Sequence, residues 1–218
     1  MGFDSLMEFA AFIIVIAIAH RALRGYRLTE QKTFWYVYLG FAVLSAGLLV
    51  DCVAGILGML ARAPRGTVAF HQTGYSVYFF SQLLAYGLLI YAYAAQSKNL
   101  RTTSSPVMAA STFAFVAFQA TSDLPIRLLG LQLEYHPIAE LVLLFLVAYV
   151  TVHTGTNYST TKDRSALLVF VAFLFLTLSH IFFILIPISP LSFVIGHALQ
   201  LSGFISLLAM LLQVSNAT

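Results

Sequence analysis

His180 lies seven residues before Pro187, and His197 lies seven residues after Pro190, on two apolar limbs folded back at Pro187, Ile188, Ser189 and Pro190. At ~1.5 Å of helical rise per residue, both imidazoles fall about 10 Å from the turn, at one depth. The limbs are otherwise rich in Leu, Ile and Phe. An unpaired polar group in such surroundings costs several kcal/mol, so each ring needs a partner. Neutral imidazoles and carboxylates suit copper, zinc or iron. Helices packed ~8–10 Å apart let two histidines share one small ion. His180 and His197 are therefore candidate metal ligands, with Asp51 and Glu140 completing the set. A haem held by one of them together with His71 is the related cofactor expectation.

Further groups share this end of the chain's spans. Asp4 and Glu8, and likewise His136 and Glu140, are four residues apart, so each pair shares a helix face. His71, Tyr75, Tyr78, Gln82 and Tyr86 step by three or four along another helix, and His197 shares a face with Gln200. Glu8, His136, Tyr75, Tyr78, Gln82, Tyr86 and Gln200 are the candidate pocket-lining or proton-relay residues. Asp51, near the middle of its span, has to be paired, protonated or solvated. Ser179 beside His180 is not a catalytic dyad, because neighbours on a helix point ~100° apart. No catalytic residue is assigned.

The elements that must position these groups are membrane spans. The 218 residues are 60% hydrophobic and 9% charged, too little polar surface to cover a soluble globule. Apolar windows at 5–20, 33–60, 67–95, 106–122, 137–153, 165–186 and 191–214 predict an all-α bundle of seven transmembrane helices in one domain, 1–218. The formal charge of +3 sits in the breaks between spans, so topology explains it and nucleic acid is not an expected partner. One cysteine, Cys52, excludes an internal disulfide and any CxxC pattern. The expected setting is a lipid bilayer, the plasma membrane, with other membrane subunits or a second copy as further candidate partners. Small residues Gly47, Ala54, Gly55 and Gly58 permit the close helix packing that either would use.

Arg21, Arg24, Arg27, Lys32, Lys98, Arg101, Lys162 and Arg164 fall in breaks on one side, against Arg62, Arg65 and Arg127 on the other. The positive-inside rule then places the N-terminus outside and the C-terminus in the cytoplasm. In that frame Glu8, Asp51, His71, His136, Glu140, His180 and His197 lie in the outer half or at its rim, while Gln82, Tyr86 and Gln200 fall in the cytoplasmic half. Intramembrane ionisable residues are rare enough that such a cluster reads as a site.

A shift of 132 residues superposes Glu8 on Glu140, Tyr26 on Tyr158, Thr29 on Thr161, Lys32 on Arg164 and Ser45 on Thr177. A shift of about 116 superposes Gly87 on Gly203 in the last span of each half. This suggests a 3+1+3 plan of parallel repeats, 1–95 and 133–218, joined by a linker helix at 106–122. Sugar transporters of the SWEET type and microbial rhodopsins are similar in topology alone. The last span has no lysine for a retinal Schiff base, and no proline-glutamine motif occurs in the first or fifth span. Three functions follow as expectations. The first is a respiratory or metal-handling subunit with an outward-facing metal or haem site. The second is a small-solute or proton-coupled transporter with 3+1+3 repeats. The third is a receptor-like sensor that signals through a separate protein.

Overall fold

The computed structural model describes residues 2–60, 64–96 and 137–216, with backbone alone at 2–4, 59, 64–69, 71–72, 94–96 and 214–216. These residues form six helices: α1 (Gly2–Thr29), α2 (Lys32–Leu60), α3 (Pro64–Gln96), α4 (Pro137–Thr161), α5 (Arg164–Ile184) and α6 (Leu191–Asn216). All six are long and apolar enough to cross a membrane, and no strand occurs among the described residues. The 106–122 window and His136 lie outside the described residues. The same is true of the His71 side chain.

The helix ends follow local chemistry. Pro64 and Pro137 open α3 and α4, where a missing N–H breaks no helical bond. Asp163 caps α5, its carboxylate accepting from the Ser165 and Ala166 amides at 3.0 and 3.3 Å. The first and fourth helices run past their apolar windows by most of three turns or two. In α4 the polar extension is stitched by hydroxyls returning to the backbone, Thr156 to the His153 carbonyl at 2.8 Å and Thr161 to the Asn157 carbonyl at 2.9 Å. Two turns share one geometry. Glu30 and Lys162 have positive φ, 57° and 54°. Their amides donate to the Tyr26 and Tyr158 carbonyls at 2.7 and 2.8 Å, left-handed helix ends of the C′ type. In the preceding residue, Thr29 bonds the Gly25 carbonyl just as Thr161 bonds that of Asn157, both at 2.9 Å.

Each helix packs against its two neighbours in chain order, and α1 packs against α6, so the described helices close a ring. Directions follow from the contacts. Gly40 meets Ala85 and Gly74 meets Ala54, so α2 and α3 are antiparallel, as are α5 and α6, where Gly196 meets Phe183 and Gly203 meets Ala172. At the seam between α3 and α4, Tyr75 meets Glu140 and Tyr93 meets His153, both numbers rising together. These two helices are parallel, and α1 and α6 are likewise parallel. The starts of α1, α3, α4 and α6 and the ends of α2 and α5 share one end of the bundle, called the site end below.

Small residues set the helix spacing. A Cβ on Gly47 would lie 2.5 Å from the Ser81 side chain, and one on Gly74 would lie 2.6 Å from Ala54 Cβ. Gly47 and Ala54 thus serve packing of α2 on α3 within the bundle. The core, with Val15, Ile18, Leu44, Leu48, Leu143, Val147, Phe173, Leu176 and Phe204 all buried, fills the ring's interior. Leu49, Val53, Ile56 and Leu57 of α2 and Phe145 and Val152 of α4 are exposed. An apolar exterior around a bundle of this kind suits a lipid bilayer, and the chain has the character of a multi-pass membrane protein.

Candidate functional site

The site is built on α3, whose residues 75, 78, 82 and 86 face inward. Tyr75 and Tyr86 stand eleven residues apart, three helical turns or about 16 Å, on nearly one face. Between them, from the first turn of α4 and the last two turns of α5, come Glu140 and His180. Tyr75 donates its hydroxyl proton to Glu140 Oε1 at 2.8 Å. Glu140 Oε2 lies 2.7 Å from His180 Nδ1, and His180 Nε2 lies 3.0 Å from the Tyr86 hydroxyl. Tyr75 is 4% exposed, Glu140 2%, His180 1% and Tyr86 1%, so the chain of four is sealed in the bundle.

Its hydrogen bonds admit two proton arrangements. With a neutral ring, Nδ1–H donates to Glu140 and Tyr86 donates to Nε2. With an imidazolium, both ring nitrogens donate and Tyr86 accepts. One proton more or less changes the ring's charge and leaves every contact in place. His180 and Glu140 are within ion-pairing distance, 2.7 Å, with both side chains buried. The described Lys and Arg side chains, Arg21, Arg24, Arg27, Lys32, Lys162 and Arg164, belong to the opposite end of the bundle.

Beside this chain is a cavity with ≈ 10 Å³ of room for the centre of a water-sized sphere, lined by Glu8, Leu48, Tyr75, Tyr78, Gln82, Glu140, Phe183, His197 and Gln200. That is space for about one water molecule. Two buried amides converge on one phenol there. Gln82 Nε2 and Gln200 Nε2 donate to the Tyr78 hydroxyl oxygen at 3.0 and 2.7 Å. Glu8 enters from α1, held near α2 because the Cys52 thiol donates to the Ser5 carbonyl one turn earlier at 3.6 Å.

The residues singled out in the sequence thus fall into three groups. Glu140, His180, Tyr75 and Tyr86 make the hydrogen-bonded chain. Glu8, Tyr78, Gln82, His197 and Gln200 line the cavity together with Tyr75 and Glu140. Asp51 is buried, 7% exposed, with its Oδ1 packed against Gly74, and it is not part of the cavity wall.

The two histidines share a depth but do not converge. The Phe183 ring stands 6.1 Å from the His180 ring and 5.1 Å from that of His197, edge-on to both. With both nitrogens hydrogen-bonded, His180 offers no lone pair to a metal in this arrangement. Among the described residues, no group of three or more His, Cys, Asp or Glu side chains is placed to hold a metal ion. Sequence reasoning missed the pairing of His180 with Glu140 and Tyr86. The eleven-residue spacing of Tyr75 and Tyr86 was the available signal. It also missed Thr151, whose hydroxyl bonds Thr177 at 2.7 Å and the Phe173 carbonyl at 2.9 Å, continuing a polar seam between α4 and α5.

Comparison with protein families, with curated proteins and with solved structures gives no match for this chain.

Proposed function

We propose that the protein is a proton-coupled secondary transporter of a small solute in the plasma membrane, with Glu140 and His180 as its proton-binding pair. The observation that carries this reading is the sealed chain Tyr75, Glu140, His180, Tyr86. It can gain or lose a proton without losing a contact, and it crosses the seam between helices α1–α3 and helices α4–α6. A buried imidazole serving only to tie helices together needs neither a carboxylate nor an adjoining polar cavity.

Three features support a plan of parallel repeats, an internal symmetry that transporters use. The turns at Glu30 and Lys162 have the same left-handed geometry and the same threonine bond, 132 residues apart. Glu8 and Glu140, related by that shift, line one cavity. Gly40 of α2 packs on the Ala85 carbonyl of α3, and Gly203 of α6 packs on the Ala172 carbonyl of α5; the first shift takes Gly40 to Ala172, and the second takes Ala85 to within two residues of Gly203. The parallel course of α3 and α4 also favours a seventh span. Gln96 and Pro137 end and begin helices at opposite ends of the bundle, and the apolar 106–122 window of the sequence between them has the length that a further span calls for. The basic turns put the site end outside. Thr151 and Thr177 extend hydrogen-bonding groups from the site toward the other end.

The test is uptake into proteoliposomes of a panel of labelled sugars, amino acids, organic acids and inorganic ions, with and without an imposed pH gradient. At least one solute should move faster with the gradient, and Glu140→Gln and His180→Leu should abolish that acceleration. A folded wild-type protein that moves neither protons nor any panel member under any gradient rules the proposal out.

A further inference from the structure

We infer that the turn between α1 and α2 is a binding surface for anionic phospholipid headgroups, with Arg24, Arg27 and Lys32 meeting the headgroup and Trp35 seated beside it in the interface. This surface is at the end of the bundle away from the proton pair, and its test needs no transport.

From Arg21 to Lys32 the chain carries four cations and one acid, Glu30. A cluster of four or more Lys and Arg just past a membrane span attracts anionic lipid. Charge of this kind also serves topology, so the geometry of the turn has to separate the two roles. Gly25 of α1 packs on the Phe34 ring of α2, where an added Cβ would lie 3.1 Å from the ring. Next to that contact Tyr26, Trp35 and Tyr38 pack in series, with ring centroids 5.2 and 5.3 Å apart. Tyr and Trp collect at the headgroup level of a bilayer, so the cluster marks that level. Arg24 and Arg27 lie within ~3 Å of Tyr26 along the axis of α1, and Lys32 lies ~4.5 Å from Trp35 along α2. All three cations are exposed. Arg24, Arg27 and Leu28 share one face of α1, and Leu28 and Trp35 are 63% and 37% exposed. Exposed cations and exposed apolar groups thus meet at one depth, as an interfacial surface requires.

The turn at Lys162 is a comparison within the same chain. Under the 132-residue shift Thr156, Ser159 and Leu167 stand where the first turn has Arg24, Arg27 and Trp35. Thr156 and Ser159 return their hydroxyls to the His153 and Thr156 carbonyls, both at 2.8 Å. Lys162 Nζ lies 5.4 Å from the centre of the Tyr158 ring, and the Asp163 carboxylate caps α5. Both turns carry the cations that topology needs. Only the first adds two arginines and a tryptophan at headgroup level.

The chemistry of these side chains selects the occupant. Arg presents a fork that matches phosphate oxygens, and Lys adds a point charge. A zwitterionic headgroup brings its own cation, which competes with them, whereas a headgroup of net negative charge does not. A soluble phosphate has no acyl chain to lie against Leu28 and Trp35. Each Lys or Arg near an anionic surface is worth about 5-fold in affinity.

Trp35 is the chain's single tryptophan, so its fluorescence reads the lipid beside this surface. The full-length protein is reconstituted in phosphatidylcholine vesicles in which a fixed minor fraction of the lipid is brominated on its acyl chains, as phosphatidylglycerol or as phosphatidylcholine. Brominated phosphatidylglycerol is expected to quench Trp35 with a preference of at least ~5-fold, the worth of one charge. Salt at about 1 M, where the Debye length is ~3 Å, should weaken that preference. Arg24→Gln, Arg27→Gln and Lys32→Gln together should remove it, whereas Lys162→Gln with Arg164→Gln should leave it in place. Equal quenching of the wild-type protein by the two lipids overturns the inference, and that comparison needs no variant to fold. So does a preference that survives the triple change in a protein of unchanged circular dichroism. A preference lost equally on changing Lys162 and Arg164 also overturns it, as a mark of general membrane charge. Competition by glycerol phosphate does the same, by assigning the surface to a soluble phosphate.

Discussion

Replacing His180 by leucine separates an ionic proton site from an ordinary contact between membrane helices. Leucine fills much of the ring's volume, so the change is chiefly the loss of two hydrogen bonds and of the charge partner of Glu140. If the imidazole only tied helices together, each bond would be worth about 0.6 kcal/mol and at most ~1.7, a total near 1–3 kcal/mol. Removing one partner of a buried ion pair costs more, about 3–5 kcal/mol, because the other charge stays behind in a medium without water. The 2% exposure of Glu140 and the assignment of the described Lys and Arg side chains to the other end favour the larger figure. His180→Leu and Glu140→Leu are each expected to cost ~3–5 kcal/mol. The double variant should cost at least ~2 kcal/mol less than the two added together, since it leaves neither charge stranded. Reversible unfolding in mixed detergent micelles near neutral pH, followed by circular dichroism, supplies the four free energies of the cycle. Additivity within ~0.5 kcal/mol would falsify the ion-pair argument, because residues that do not interact add to that degree.

Two other substitutions probe the neighbouring structure. Tyr78→Phe removes the oxygen that accepts from both Gln82 and Gln200, and two buried amide donors without a partner should lower stability by about 2 kcal/mol or more in the same unfolding assay. Gly47→Ala places a methyl group 2.5 Å from the Ser81 side chain and has to push α2 away from α3, an expected cost of ~1–3 kcal/mol, with a matched Gly87→Ala nearly silent because nothing lies within 4 Å of that position.

Much of the architecture is legible along the chain because membrane insertion imposes a length and an apolar composition on each helix. Six apolar windows correspond to the six helices described, and the errors are at the ends, where α1 and α4 continue into polar segments. There the helix is carried by backbone bonds and by threonines returning to carbonyls, with no apolar signal to read. The depth of each polar group was also legible. Rise per residue fixes distance along a helix axis, so Glu8, Glu140, His180 and His197 could be placed toward one end before any packing was known.

Rotation about those axes was not legible. A membrane helix with apolar residues all round carries little signal for which face turns inward, and α5, where Phe, Leu and Val surround His180, is such a helix. His180 and His197 at one depth therefore read as a shared pair. Packing instead put the Phe183 ring against both and turned His180 to Glu140 and Tyr86. Sequence by itself determined the six described helices and the end toward which Glu8, Glu140, His180 and His197 fall. Tertiary structure alone decided which groups touch, because the packing of α3 against α4 and α5 joins residues 65 and 94 apart in the chain, at distances that no local spacing encodes.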